Sequence, residues 1–180
     1  VTTSTQPESN TARVPRYDRL ILFIGSLAHT GFVPFASGTV AVALWGVPLA
    51  ILLLKIWQVS LPVYVGICVA LTLFSIWVAG EADRVLNEKD SRKNVIDEIP
   101  GYLIALVGLP ASGPILIIAF FLERVIDIAK IWPANLIERH LPGGWGVVLD
   151  DVMAGIYTVA LLHALAYFAP AWFNALAMTE

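Results

Sequence analysis

Apolar runs dominate the chain at roughly 20–28, 40–57, 61–80, 96–110, 114–132 and 147–169, separated by short polar interruptions. Several of these approach the ~20 residues that a helix needs to cross a bilayer core. The run at 20–28 is too short to cross alone and leads into HTGFVPFASGT, residues 29–39, whose glycines, proline and small residues break regular structure. Residues 20–39 are therefore expected to form an interfacial or re-entrant element packed on protein. The run at 96–110 is also short, with Pro100 and Gly101 early in it. The pattern predicts an all-α, polytopic integral membrane helical bundle with a short re-entrant or interfacial N-terminal element. Residues 13–170 read as one membrane-embedded domain, 1–12 (VTTSTQPESNTA) as a disordered polar tail, and 171–180 as a short C-terminal tail.

Composition agrees with lipid as the main solvent. Of 180 residues, 58% are hydrophobic and only 14% charged, with a mean hydropathy of +0.77, values outside the range of ordinary soluble domains. A net charge of -3 with no basic run gives no footprint for nucleic acid. Cys68, the single cysteine, excludes an internal disulfide and any cysteine-based metal motif. Lysine and arginine then orient the bundle, because they stay on the cytoplasmic side of short loops. With a cytoplasmic N-terminus and five crossings, at 40–57, 61–80, 96–110, 114–132 and 147–169, ten of the eleven basic residues fall inside and only Lys55 outside.

The same topology brings three charged groups to the cytoplasmic face. Asp97 and Glu98 open one helix, Glu123, Arg124, Asp127 and Lys130 close the next, and Asp150 and Asp151 open the last. Glu123, Asp127 and Lys130 follow i, i+4, i+7 spacing with Arg124 three before Asp127, so all four share one stripe. Ion pairs that hold helices together are one reading, with Glu123 snorkelling to the interface. Six acids against two bases are poorly explained that way, because crowded carboxylates must take up protons or bind a cation. Oxygen-only donors suit magnesium. Arg124 offers a planar fork and Lys130 a compact charge for phosphate oxygens. The GGWG run (Gly143, Gly144, Trp145, Gly146) supplies either backbone amides for an anion or a plain tight turn. Together these residues point to metal-assisted phosphoryl chemistry at the membrane surface. His29 and His140 are read as structural or as an acid for the leaving group, and His163 as helix-packing polarity.

Taken in order, Asp97-Glu98 with Gly101, Arg124-x-x-Asp127-x-x-Lys130-x-x-Pro133, and Gly143-Gly144-x-Gly146-Val147-x-x-Asp150-Asp151-x-x-Ala154-Gly155 closely resemble the phosphatidylglycerophosphatase A family over about 20–169. Gly38-Thr39 is similar to that family's early Pro-Gly-Thr-x-Gly element. Ser37, Ala41 and Ile131 depart from the family's usual proline, glycine and proline, without removing a motif charge. The resemblance implies a magnesium-dependent phosphatase of the bacterial inner membrane. It would convert phosphatidylglycerophosphate to phosphatidylglycerol, with the headgroup approached from the cytoplasm. On that reading Asp97, Glu98, Asp150 and Asp151 hold Mg2+, and Asp127 completes the set or orients Lys130. Arg124 and Lys130, with Gly143 and Gly144, hold the phosphate. The nucleophile is a water activated at the metal with a carboxylate base, or an aspartate forming a phospho-enzyme. Competing readings are a small ion- or proton-coupled transporter, a CDP-alcohol phosphotransferase, whose Asp-Gly-x-x-Ala-Arg run is missing, and a silent scaffold. Gly66, Gly80 and neighbouring small residues permit close helix packing within one chain or between two copies.

Overall fold

The computed structural model describes residues 16–88, 91, 93–132 and 134–178. The tail expected at 1–12, together with Arg13, Lys89, Arg92 and Pro133, lies outside the described residues. Every regular element among the described residues is helical: α1 (Arg16–Gly25), α2 (Ser37–Ile56), α3 (Leu61–Leu86), α4 (Glu98–Ala105), α5 (Gly113–Ala129), α6 (Ala134–His140), α7 (Gly144–Phe168) and α8 (Pro170–Ala177). α2, α3 and α7 are long and apolar enough to cross a membrane. α7 is the central helix and packs on α3, α4, α5, α6 and α8.

The outward faces are apolar. On α5, Ile117, Phe121, Val125 and Ile128 are exposed while Glu123 and Arg124 are buried, the inverse of a soluble amphipathic helix. On α3, Val65, Val69, Leu73 and Trp77 are likewise exposed. Lipid tails are the solvent such a surface requires.

Local chemistry sets the ends and irregularities. Pro48 has no N–H for the carbonyl four residues back, and α2 widens on either side of it. The amides of Val47 and Trp57 there reach the carbonyls of Val42 and Leu52, five residues back. The Ser112 side chain accepts from the Ile115 amide, and Pro114 follows, starting α5. Asn87 ends α3 and Lys130 ends α5, both at positive φ.

Four sequence expectations are revised. The segment at 96–110 contains only the eight-residue α4, roughly 12 Å long, followed by turns through Leu106 to Leu109. It still travels from the charged end of the bundle to the level of His163, which lies beside Gly108. The run at 61–80 continues to Leu86. The residues expected as a tail at 171–180 carry α8, because Pro170 restarts a helix that buries Phe173 against the bundle. Asp150 and Asp151 do not open the last helix. α7 starts at Gly144, which places both carboxylates roughly 9–10 Å inside it. The N-terminal element agrees with expectation in packing on protein: α1 lies on α3, and the corner after it holds Leu27, Ala28 and His29 in succession at positive φ.

Close backbone approach around α7 depends on glycine. A methyl group on Gly155 would enter the Gly101 carbonyl oxygen of α4, whereas nothing lies within 4 Å of one on Gly66. Gly155→Leu is therefore expected to lower stability by about 1–3 kcal/mol or more, and Gly66→Ala to leave it unchanged or slightly raised. Thermal unfolding of the two proteins in detergent checks this, and equal midpoints would contradict the packing described.

Candidate active site: a recessed carboxylate cluster

The charged ends of α4, α5 and α7 meet inside the bundle. Carboxylate oxygens of Glu98, Asp127 and Asp151 all lie within 4.8 Å of one another. Asp97 is buried next to them. Arg124 enters from α5, and its Nε and Nη2 donate to Glu123 Oε2 and Oε1 at 2.8 and 2.7 Å. Its Nη1 pairs with Glu98 and lies 3.5 Å from Asp127 Oδ2. Among the described residues one guanidinium thus serves Glu98, Glu123 and Asp127, with Asp151 close by, so the carboxylates around it outnumber it. In a site this dry, such a surplus needs a cation or protons to offset it.

Asp150 and Asp151 part company. Neighbours on a helix point about 100° apart, so Asp151 turns toward Glu98 and Asp127 while Asp150 turns toward α5 and pairs with Lys130. The positive φ of Lys130 at the end of α5 carries its ammonium across to α7. Its side chain is 40% exposed while that of Asp150 is 4%. Of the two cations described at the site, Lys130 is thus the more exposed, its side chain 40% exposed against 8% for Arg124.

Glycines shape the cradle. A methyl group on Gly38, at the start of α2, would fall inside the Glu98 carboxylate, and one on Gly101 would lie 2.9 Å from Glu123 Oε1. Gly143 takes a positive φ of 56°. Gly144 presses against α3, where a methyl group would meet the Ile76 carbonyl and lie 2.7 Å from the Gly80 amide. The geometry of GGWG is thus that of a tight turn and a helix contact, well removed along α7 from Asp151.

Sequence reasoning brought Asp97, Glu98, Glu123, Arg124, Asp127, Lys130, Asp150 and Asp151 to one face of the bundle; the structure gathers Glu98, Glu123, Arg124, Asp127 and Asp151 in a buried cluster and pairs Lys130 with Asp150. Glu123, counted on the charged stripe with snorkelling to the interface as one reading, was not among the candidate site residues, yet it is fully buried and grips Arg124. Its spacing on the shared stripe was the available signal. His29 packs against the rings of Phe23 and Phe32, with centroids 5.4 and 5.6 Å away. The His140 and His163 Nδ1 atoms are held 2.8 and 2.9 Å from carbonyl oxygens four residues back. All three contacts are structural.

Known proteins share this chain's pattern. The family model described as Phosphatidylglycerophosphatase A matches residues 23–166. The Phosphatidylglycerophosphatase A of Escherichia coli K12 is 28% identical over 144 residues, spanning 78% of this chain and 80% of its own. The Haemophilus influenzae Rd protein of the same name is 29% identical over 148 residues, spanning 78% and 89%. A Bacteroides thetaiotaomicron protein named "Putative phosphatidylinositol-3-phosphatase" is 33% identical over 147 residues, spanning 79% and 91%. No solved structure matches the chain.

Removing Arg124 leaves Glu98, Glu123 and Asp127 without the buried cation they share. Arg124→Ala is expected to cost about 3–5 kcal/mol, and Glu123→Ala, which leaves Arg124 paired with Glu98, to cost less. Thermal unfolding in detergent measures both, and an Arg124→Ala protein as stable as the parent would refute the pairing.

Proposed function

The chain belongs to the phosphatidylglycerophosphatase A family, and from that premise we propose that it hydrolyses phosphatidylglycerophosphate to phosphatidylglycerol and phosphate with magnesium as cofactor. It is a membrane-embedded phosphatase acting on a phosphate monoester. The observation that carries the finer reading is the convergence of Glu98, Asp127 and Asp151 beside Arg124.

The residues present fit a hard divalent cation: three converging carboxylates, oxygen donors only, and a buried negative surplus that a divalent charge would offset. Glu98, Asp127 and Asp151 would hold the ion, with Asp97 beside them. When bound, magnesium supplies Lewis-acid stabilisation of charge on phosphoryl oxygens. Asp150, expected from the sequence as a ligand, instead holds Lys130 on the open side, where the ammonium meets the incoming phosphate. Glu123 fixes one edge of the Arg124 guanidinium through two hydrogen bonds, so that Nη1 stays aimed at the cluster without reorganising as charge develops. No histidine contact reaches the carboxylates among the described residues. The proton for the leaving glycerol oxygen is therefore assigned to a carboxyl group or to water.

A cytoplasmic site in the bacterial inner membrane is part of the proposal. The α7 N-terminus packs beside the C-terminal half of α3, near Arg84. Lys55 instead lies by Pro110 and Ser112 at the other end. This asymmetry supports the orientation. A transporter would need ionisable groups open to both sides in turn, and these gather at one end.

Purified protein in detergent is expected to release phosphate from phosphatidylglycerophosphate with magnesium, and to stop when a chelator is added. Asp151→Asn is expected to lower the rate at least about a hundredfold. Magnesium-independent release would remove the metal from the account, and faster release from phosphatidylinositol 3-phosphate would replace the substrate.

A further inference from the structure

We propose that an apolar groove between α1, α2 and α3 seats one acyl chain of the lipid substrate, which rests on the reading of this chain as a lipid phosphatase. The groove encloses about 460 Å³, within the ~300–1,000 Å³ of ordinary ligand sites. Leu44, Trp45, Pro48, Leu49 and Leu52 form its α2 wall and Leu71 and Phe74 its α3 wall.

Two features tie this groove to the site and set it apart from the general lipid-facing surface. Its floor is Ile96, Ile99 and Pro100, which bracket Asp97 and Glu98 in the chain, so the bottom of the groove and the carboxylate cluster share one backbone segment. Its direction also matches a lipid. Gly38 abuts the Glu98 carboxylate, and the lining residues of α2 begin six positions later, roughly 9 Å further into the bundle, and continue for roughly 12 Å. A phosphate at the cluster would thus leave a span for the glycerol before the hydrocarbon starts, with the chain running parallel to α2.

The lining is chemically matched to hydrocarbon. Its one hydroxyl, on Ser75, donates to the Ile96 carbonyl at 3.2 Å, so it makes no demand on a ligand. At the upper edge the Trp45 Nε1 donates to Thr30 Oγ1 at 3.1 Å. That bond ties the α2 wall to the corner after α1, whose Leu27 also lines the groove.

The test compares dipalmitoyl and dihexanoyl phosphatidylglycerophosphate in mixed micelles, using the full-length protein and two groove-filling variants on opposite walls, Leu49→Trp and Leu71→Trp. Either variant is expected to raise KM for the dipalmitoyl lipid about tenfold, to change kcat little, and to narrow the preference over the dihexanoyl lipid. Unchanged chain-length preference in both variants would mean that only bulk lipid fills the groove and would overturn the proposal. Equal loss on the two substrates in both variants would overturn it as well, since the groove would then be structural. Failure of the parent protein to release phosphate from either lipid overturns the functional reading, and this one with it. A parent that is active yet indifferent to chain length overturns this one alone.

Discussion

An arginine buried among carboxylates, Arg124, is the constraint on which the architecture depends. Arg124 lies within an apolar bundle and is held by Glu123 through two bonds along one edge and by Glu98 at Nη1. Charge at that depth is tolerated only when it is paired and hydrogen-bonded. The pairing requires α4, α5 and α7 to approach more closely than ordinary side chains permit, and Gly101 and Gly155 permit it. The short α4 follows from the same demand: its first turn must present Glu98 inside the bundle, so it begins recessed from the surface and needs few residues to reach the far end.

Recession also divides the labour among the acids. Because α7 starts at Gly144, the two adjacent aspartates stand well inside the bundle and address different partners. Asp151 completes the trio that suits a metal. Asp150 steadies Lys130. Both cations described at the site are thus oriented by a carboxylate outside the trio, Glu123 for Arg124 and Asp150 for Lys130. Such second carboxylates hold a charge in place before the substrate arrives.

Much of this was legible in the sequence, for a physical reason. The i, i+4, i+7 stripe on α5 is a periodic signal, and a helix in lipid preserves it. The register of α7 was not legible, because it depends on a positive φ at Gly143 and on Gly144 meeting the α3 backbone, and a glycine pair reads equally as an anion loop. The role of Glu123 was not legible, because a charge on the stripe near a helix end reads equally as reaching the interface or as buried; the structure buries it against Arg124. The apolar groove was invisible for another reason. Hydrophobic residues facing lipid and hydrophobic residues lining a slot have the same pattern, and only the packing of α1 and α2 against α3 separates them.

Magnesium binding itself, apart from turnover, tests the central claim most directly. Calorimetric titration of magnesium into the purified protein in detergent is predicted to give one site per chain, lost in Asp151→Asn and in Glu98→Gln but kept in Lys130→Met. A titration of Asp151→Asn indistinguishable from that of the parent would contradict the carboxylate trio as the metal site.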